Sequence, residues 1–125
     1  SNHGGRQLDH GLGSAAVLPE IVSAVKGKAE VWVDGGFMRG TDVVKAIALG
    51  AGMVGIGRLA CLGLGAAGVP GLVRTLELLE EEIRTCLGLL GVTALSQLTP
   101  AYLAAAPAVG APDTFSAFPL LQEDS

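Results

Sequence analysis

The chain has 125 residues, of which 50% are hydrophobic, 16% charged and 4% aromatic, with 19 glycines and a mean hydropathy of +0.52. That is enough for one small domain and too apolar for a wholly disordered chain. Eight basic and twelve acidic residues leave a net charge of -4, which excludes a nucleic-acid surface built on phosphate neutralisation and leaves room for a small phosphate held locally. No run of about 18 uninterrupted apolar residues occurs, so no membrane span is expected.

The opening Ser1-Asn2-His3-Gly4-Gly5-Arg6 lacks the charged-then-apolar pattern of a signal peptide and reads as the middle of a longer fold. Val17, Leu18, Ile21, Val22 and Val25 fall at helical spacing, which predicts a helix over 14–26 with Ser14 as N-cap and Gly27 just past its end. The β-rich stretch 30–33 runs into Asp34-Gly35-Gly36, as a buried strand ending at a glycine turn does. Thr41 is the expected cap of a helix over 42–49, with Val43, Val44, Ile47 and Ala48 on one side and Gly50 as its stop. A second strand over 53–56 closes on Gly57-Arg58, and helix follows to about 64. Strand, glycine turn and helix, repeated at about 20 residues, is the βαβ rhythm of a parallel sheet or barrel.

Pro70 opens a long helix to about 90, with Leu72, Leu76, Leu79, Ile83, Leu87 and Leu90 on one stripe and Glu80-Glu81-Glu82 on the solvated face. Thr99-Pro100 starts a last short helix through Leu103. Residues 106–125 read as a flexible tail, in which Phe115 and Phe118 are the aromatic residues. Cys61 and Cys86 fit no disulfide framework or metal spacing, so they read as small buried hydrophobes in a reducing cytoplasm. Trp32 reads as core on a sheet face.

His3 and Arg6, separated by two glycines, put a titratable base and a fixed cation on one short loop. An imidazole can exchange a proton near neutral pH, and a guanidinium can grip a carboxylate through two parallel hydrogen bonds, a combination suited to a small acid. A surface loop would carry the same residues equally well. At Asp34-Gly35-Gly36-Phe37-Met38-Arg39-Gly40 a strand end feeds a helix N-terminus, and Gly55-Ile56-Gly57-Arg58 repeats the design one unit later. Glycines bare the backbone N–H groups and the helix end is partly positive, so two consecutive turns match the shared phosphate site of barrels. Arg39 could instead pair with Asp42 on the helix surface, and Asp34 could shape its turn rather than do chemistry.

Ser-Asn-His-Gly-Gly-Arg-Gln-Leu-Asp, then Val-Asp-Gly-Gly, then Arg-Gly-Thr-Asp-Val-Val-Lys-Ala, then Gly-Ile-Gly-Arg, together resemble the FMN-dependent α-hydroxy acid oxidase and dehydrogenase family over residues 1–105. The resemblance implies an α/β fold, the C-terminal portion of a TIM (β/α)8 barrel: about strands 7 and 8 with their helices, plus C-terminal helices. It implies FMN as cofactor and oxidation of a small (S)-2-hydroxy acid to the 2-oxo acid. His3 would be the base acting on the substrate hydroxyl or α-proton, Asp34 would pair with His3, and Arg6 would hold the substrate carboxylate. The cofactor set would be Ser1, Asp34, Gly35, Gly36, Arg39, Gly57 and Arg58. Met38 departs from the family's usual pair of arginines, leaving Arg39 as the cation there.

The same resemblance implies a homo-oligomer when full length and a terminal electron acceptor of unspecified kind. Two strands cannot close a barrel, so the isolated chain is expected to be inactive. A truncated, non-catalytic barrel fragment and another phosphate-binding barrel enzyme are the alternatives; the latter has no evident need for the His3 loop.

Overall fold

The computed structural model describes Ser1, His3, Gln7, Leu8 and residues 10–106. Arg6, Gly4, Gly5 and the tail from residue 107, with Phe115 and Phe118, lie outside the described residues. The elements run α1 (Ser14–Val25), β1 (Trp32–Asp34), α2 (Gly40–Ala48), β2 (Met53–Gly55) and α3 (Arg58–Leu90), followed by two 3₁₀ turns at Leu95–Gln97 and Pro100–Tyr102. The two strands pair in parallel, with Trp32 opposite Met53, Val33 opposite Val54 and Asp34 opposite Gly55. This is the expected strand–helix–strand unit, with α2 as the crossover.

Two small cores meet at α2. Ala46 joins Leu18, Val33, Phe37 and Ala51 between α1, the sheet and α2. Val44 and Ala48 turn the other way and pack with Val92 and Leu98, flanked by Ile83 and Leu87 of α3. Leu18 is only 2% exposed, and burying a side chain of that size contributes about 1.5–3 kcal/mol. Gly40 sets the separation of α2 and α3. A Cβ there would stand 2.5 Å from Glu82 Cβ and 2.7 Å from the Ile83 nitrogen, so only glycine fits the contact.

Several local expectations change. Ser14 is the first residue of α1 and does not cap it; Gly13 takes the N-cap position. The Ser14 hydroxyl instead donates to the Asp34 carbonyl at 2.5 Å, tying α1 to the end of β1. Thr41 does not cap α2 either: the helix starts at Gly40 with Arg39 in the N-cap position, and the Asp42 carboxylate accepts the N–H groups of Met38 and Arg39. The two helices expected on either side of residues 65–70 are present: α3 is two helical pieces divided by non-helical backbone at Ala67 (φ -151°, ψ 27°) and Gly68 (φ 61°, ψ -145°). By length and composition α3 could cross a membrane, contrary to the expectation from uninterrupted apolar runs. Its backbone is broken at Ala67 and Gly68, and the longer piece beyond the break packs on α2.

The acidic run also divides. Glu80 and Glu81 pair outward with Arg84 and Arg74, whereas Glu82 turns inward to α2. Trp32, expected in a core, is 63% exposed, because nothing among the described residues covers its face of the sheet. Cys61 is exposed as well.

Candidate functional site

The C-terminal ends of β1 and β2 open on a cleft of about 590 Å³. It is lined by His3, Asp34, Gly35, Gly36, Phe37, Met38, Gly55, Ile56, Gly57, Arg58 and Cys61. The fold therefore brings together five of the predicted groups, His3, Asp34, the Gly35-Gly36 pair, Gly57 and Arg58, from three separate stretches of sequence. Side chains alternate along a strand, so Trp32 and Asp34 share a face; Asp34, as the last residue of β1, carries its carboxylate to the cleft.

Gly35 and Gly36 have φ values of 106° and 83°, a region costly for residues with a Cβ. Any other residue pair would strain the turn that forms this wall. On the opposite wall Gly57 occupies the N-cap position of α3 and no side chain caps that end. Gly57 and Arg58 both line the cleft, and an uncapped helix N-terminus beside a guanidinium favours an anion.

His3 is placed by local contacts. Its Nδ1 lies 2.8 Å from Ser1 Oγ, and the Ser1 nitrogen stands 3.9 Å from Asp34 Oδ1. Ser1 therefore adjoins the cleft through His3. It lines a neighbouring groove with Leu12, Ser14 and Trp32, and the cleft itself is lined without it. Arg6 lies outside the described residues.

Arg39 does not join the cleft. Its guanidinium pairs with Glu82 of α3, at 2.8 Å from Nε and 2.7 Å from Nη2 to the same Oε1. Glu82 Oε2 accepts the Gly40 N–H at 2.6 Å. The hydrogen bond from Arg39, followed by that from the Gly40 amide, holds the Glu82 carboxyl below its ordinary value, and the guanidinium is held above its own. In this structure the Arg39 guanidinium is engaged by a carboxylate 43 residues away, and it does not line the cleft. The alternative of a side-chain pair with Asp42 is also replaced, since Asp42 accepts the Arg39 backbone N–H.

Sequence reasoning singled out Met38 and missed Phe37, Ile56 and Cys61 as cleft residues. Phe37 and Ile56 could have been found from their positions within the two turns. Among the described residues, Arg58 is the one lysine or arginine that lines the cleft. No group of three or more potential metal-ligating side chains occurs among the described residues. The arrangement can seat an anion between the two turns and place an imidazole and a carboxylate at the same opening.

The chain is also similar to known proteins. The FMN-dependent dehydrogenase family matches residues 1–105. The L-lactate oxidase of Nostoc sp. is 48% identical over 103 residues, which are 82% of this chain and 28% of that protein. The 2-hydroxyacid oxidase 1 of Homo sapiens is 53% identical over 91 residues, 73% of this chain and 25% of that one. A crystal structure of mandelate oxidase with benzoyl-formic acid superposes with a TM-score of 0.74 at 50% identity, covering 78% of this chain and 29% of the other. The chain thus spans less than a third of the length of these relatives.

Proposed function

The chain belongs to the FMN-dependent dehydrogenase family, and from that premise we propose that it supplies strands 7 and 8 of a (β/α)8 barrel that oxidises a small (S)-2-hydroxy acid to the 2-oxo acid. The observation that carries this reading is the cleft itself: His3, Asp34, both glycine turns and Arg58 gather at the C-terminal ends of two parallel strands, the end at which barrel enzymes place their sites. Family membership sets aside the alternative of an unrelated phosphate-binding barrel.

The cleft suits FMN on its own chemistry. Its walls are glycine backbone in the left-handed region, an uncapped helix end and one guanidinium, the parts that hold a phosphate. Gly35, Gly36, Gly57 and Arg58 would hold that group, and Met38 and Ile56 would add apolar contact. FMN, when bound, supplies the two-electron acceptor.

The remaining work falls to the chain. His3 takes one proton from the substrate, at the hydroxyl or at the α-carbon. Asp34, at the same opening, stabilises the imidazolium that results. Arg6 holds the substrate carboxylate as a bidentate clamp, which fixes the α-carbon relative to His3.

The test is a chimera in which the upstream part of the Nostoc L-lactate oxidase is joined ahead of Ser1. We expect a yellow protein bleached anaerobically by L-lactate, glycolate or mandelate. His3→Ala should leave flavin bound and slow its reduction by about 10²–10⁴-fold. A folded chimera that binds no flavin would overturn the reading and favour the non-catalytic fragment.

A further inference from the structure

The two walls of the cleft grow from paired strand ends, with Asp34 opposite Gly55. That pairing fixes the roots of the walls and leaves their far ends, Met38 on one side and Arg58 on the other, to be held elsewhere. Both lead to α3. Arg58 is its first residue, and the turn that carries Met38 runs on into Arg39 and Gly40, which Glu82 of the same element holds.

We infer that Glu82 is a positioning residue for the cofactor cleft: by holding Arg39 and the Gly40 amide, it fixes the wall at residues 35–38 relative to Arg58. The inference rests on the function proposed above and adds to it a residue that does not itself line the cleft. One carboxylate makes all the contacts. Its Oε1 accepts from Arg39 Nε at 2.8 Å and stands 2.7 Å from Nη2, while Oε2 accepts the Gly40 N–H at 2.6 Å. Among the described residues this wall brings no lysine or arginine to the cleft. What it offers an anion is backbone, and the worth of a backbone donor depends on where the turn stands.

The route from Glu82 back to Arg58 is closed as well. The two pieces of α3 part at Ala67 and Gly68, yet they touch beside the break. A Cβ at Gly63 would stand 3.0 Å from the Gly71 oxygen, and one at Gly71 would overlap the Gly63 carbonyl. Thr75 Oγ1, which donates to that Gly71 carbonyl at 2.9 Å, adjoins Gly63 in turn. The wall, Gly40, Glu82, the longer piece, the Gly71–Gly63 contact and Arg58 therefore form a ring that sets the separation of the two turns.

Titration of the chimera with FMN and with riboflavin, which lacks the phosphate, tests this below the melting transition of every variant. Glu82→Ala should weaken FMN binding several-fold and leave riboflavin affinity nearly unchanged. Glu82→Gln keeps an oxygen for the Gly40 N–H and should restore most of the FMN affinity. Glu80→Ala, which breaks only the outward pair with Arg84, is the control and should change neither. Equal FMN affinity in Glu82→Ala and the unmutated chimera would overturn the inference, as would an equal loss for both ligands or a Gln variant no better than Ala. Hydrogen exchange at the Gly40 amide, read without flavin, should quicken several-fold in Glu82→Ala, and unchanged exchange there would also overturn it. Faster exchange in a chimera that binds neither flavin would leave the anchor standing while the proposed function fails.

Discussion

The two glycine turns begin from the same sequence design and end in opposite states. After β1, every amide at the start of α2 from Met38 to Gly40 is taken by a carboxylate of the protein, Asp42 for the first two and Glu82 for the third. After β2, no side chain caps α3, and Arg58 lines the cleft. A strand, a glycine turn and a helix N-terminus therefore do not by themselves make an anion site. What decides is whether an acidic side chain of the fold already holds that end. The first turn is a rigid wall, anchored to α3 through Glu82, and the second is the open end.

Four substitutions, in the chimera, break or sharpen this contrast. Arg58→Ala should have the largest effect on the cofactor, weakening FMN binding by about one to two orders of magnitude, as loss of a charged hydrogen-bonding partner does; titration of the apoprotein by flavin fluorescence measures it. Arg39→Ala in the same titration should change affinity little, and an equal loss in both would erase the distinction between the turns. Gly40→Ala should destabilise the protein by about 1–3 kcal/mol, the range for overpacking, since its Cβ would meet α3 backbone; denaturant unfolding reads this. Asp42→Ala removes the acceptor of two amides and should cost about 1 kcal/mol, typical of a lost helix cap, measured in the same way.

The smallest effect is a pH dependence. Glu82 has its carboxyl lowered in the folded protein from an ordinary 4.5, so the unfolded chain binds its proton more readily. Its stabilisation is present above about pH 4.5 and is lost as pH falls through the depressed folded value. Glu82→Gln should flatten that part of the melting-temperature profile while lowering stability at neutral pH. A parallel pair of profiles would show that the α2–α3 link does not depend on ionised Glu82.

The local grammar of the chain was legible in advance. Helix α1, both strands, both turns and the break in α3 follow from periodicity and from glycine and proline positions, because neighbouring residues decide them. Contacts across the sequence were not. Ser14 reads as a cap until Asp34, 20 residues on, offers its carbonyl. Arg39 reads as a cofactor cation until Glu82 competes for it. Glu82 itself looks like one of three solvated acids, and only the close approach at Gly40 brings it inward. Trp32 illustrates the converse: its residue type says core, yet it is 63% exposed because nothing among the described residues covers it.

The break at Ala67 and Gly68 has a consequence for the electric field at Arg58. Peptide dipoles add only along a shared axis, and the interruption leaves residues 58–66, about two and a half turns, as a separate dipole at the cleft. Since a helix's influence on a charge is concentrated in its terminal turn, this short piece suffices. Its aim can be set by the cleft end alone, while the longer piece keeps the orientation that its packing against α2 requires.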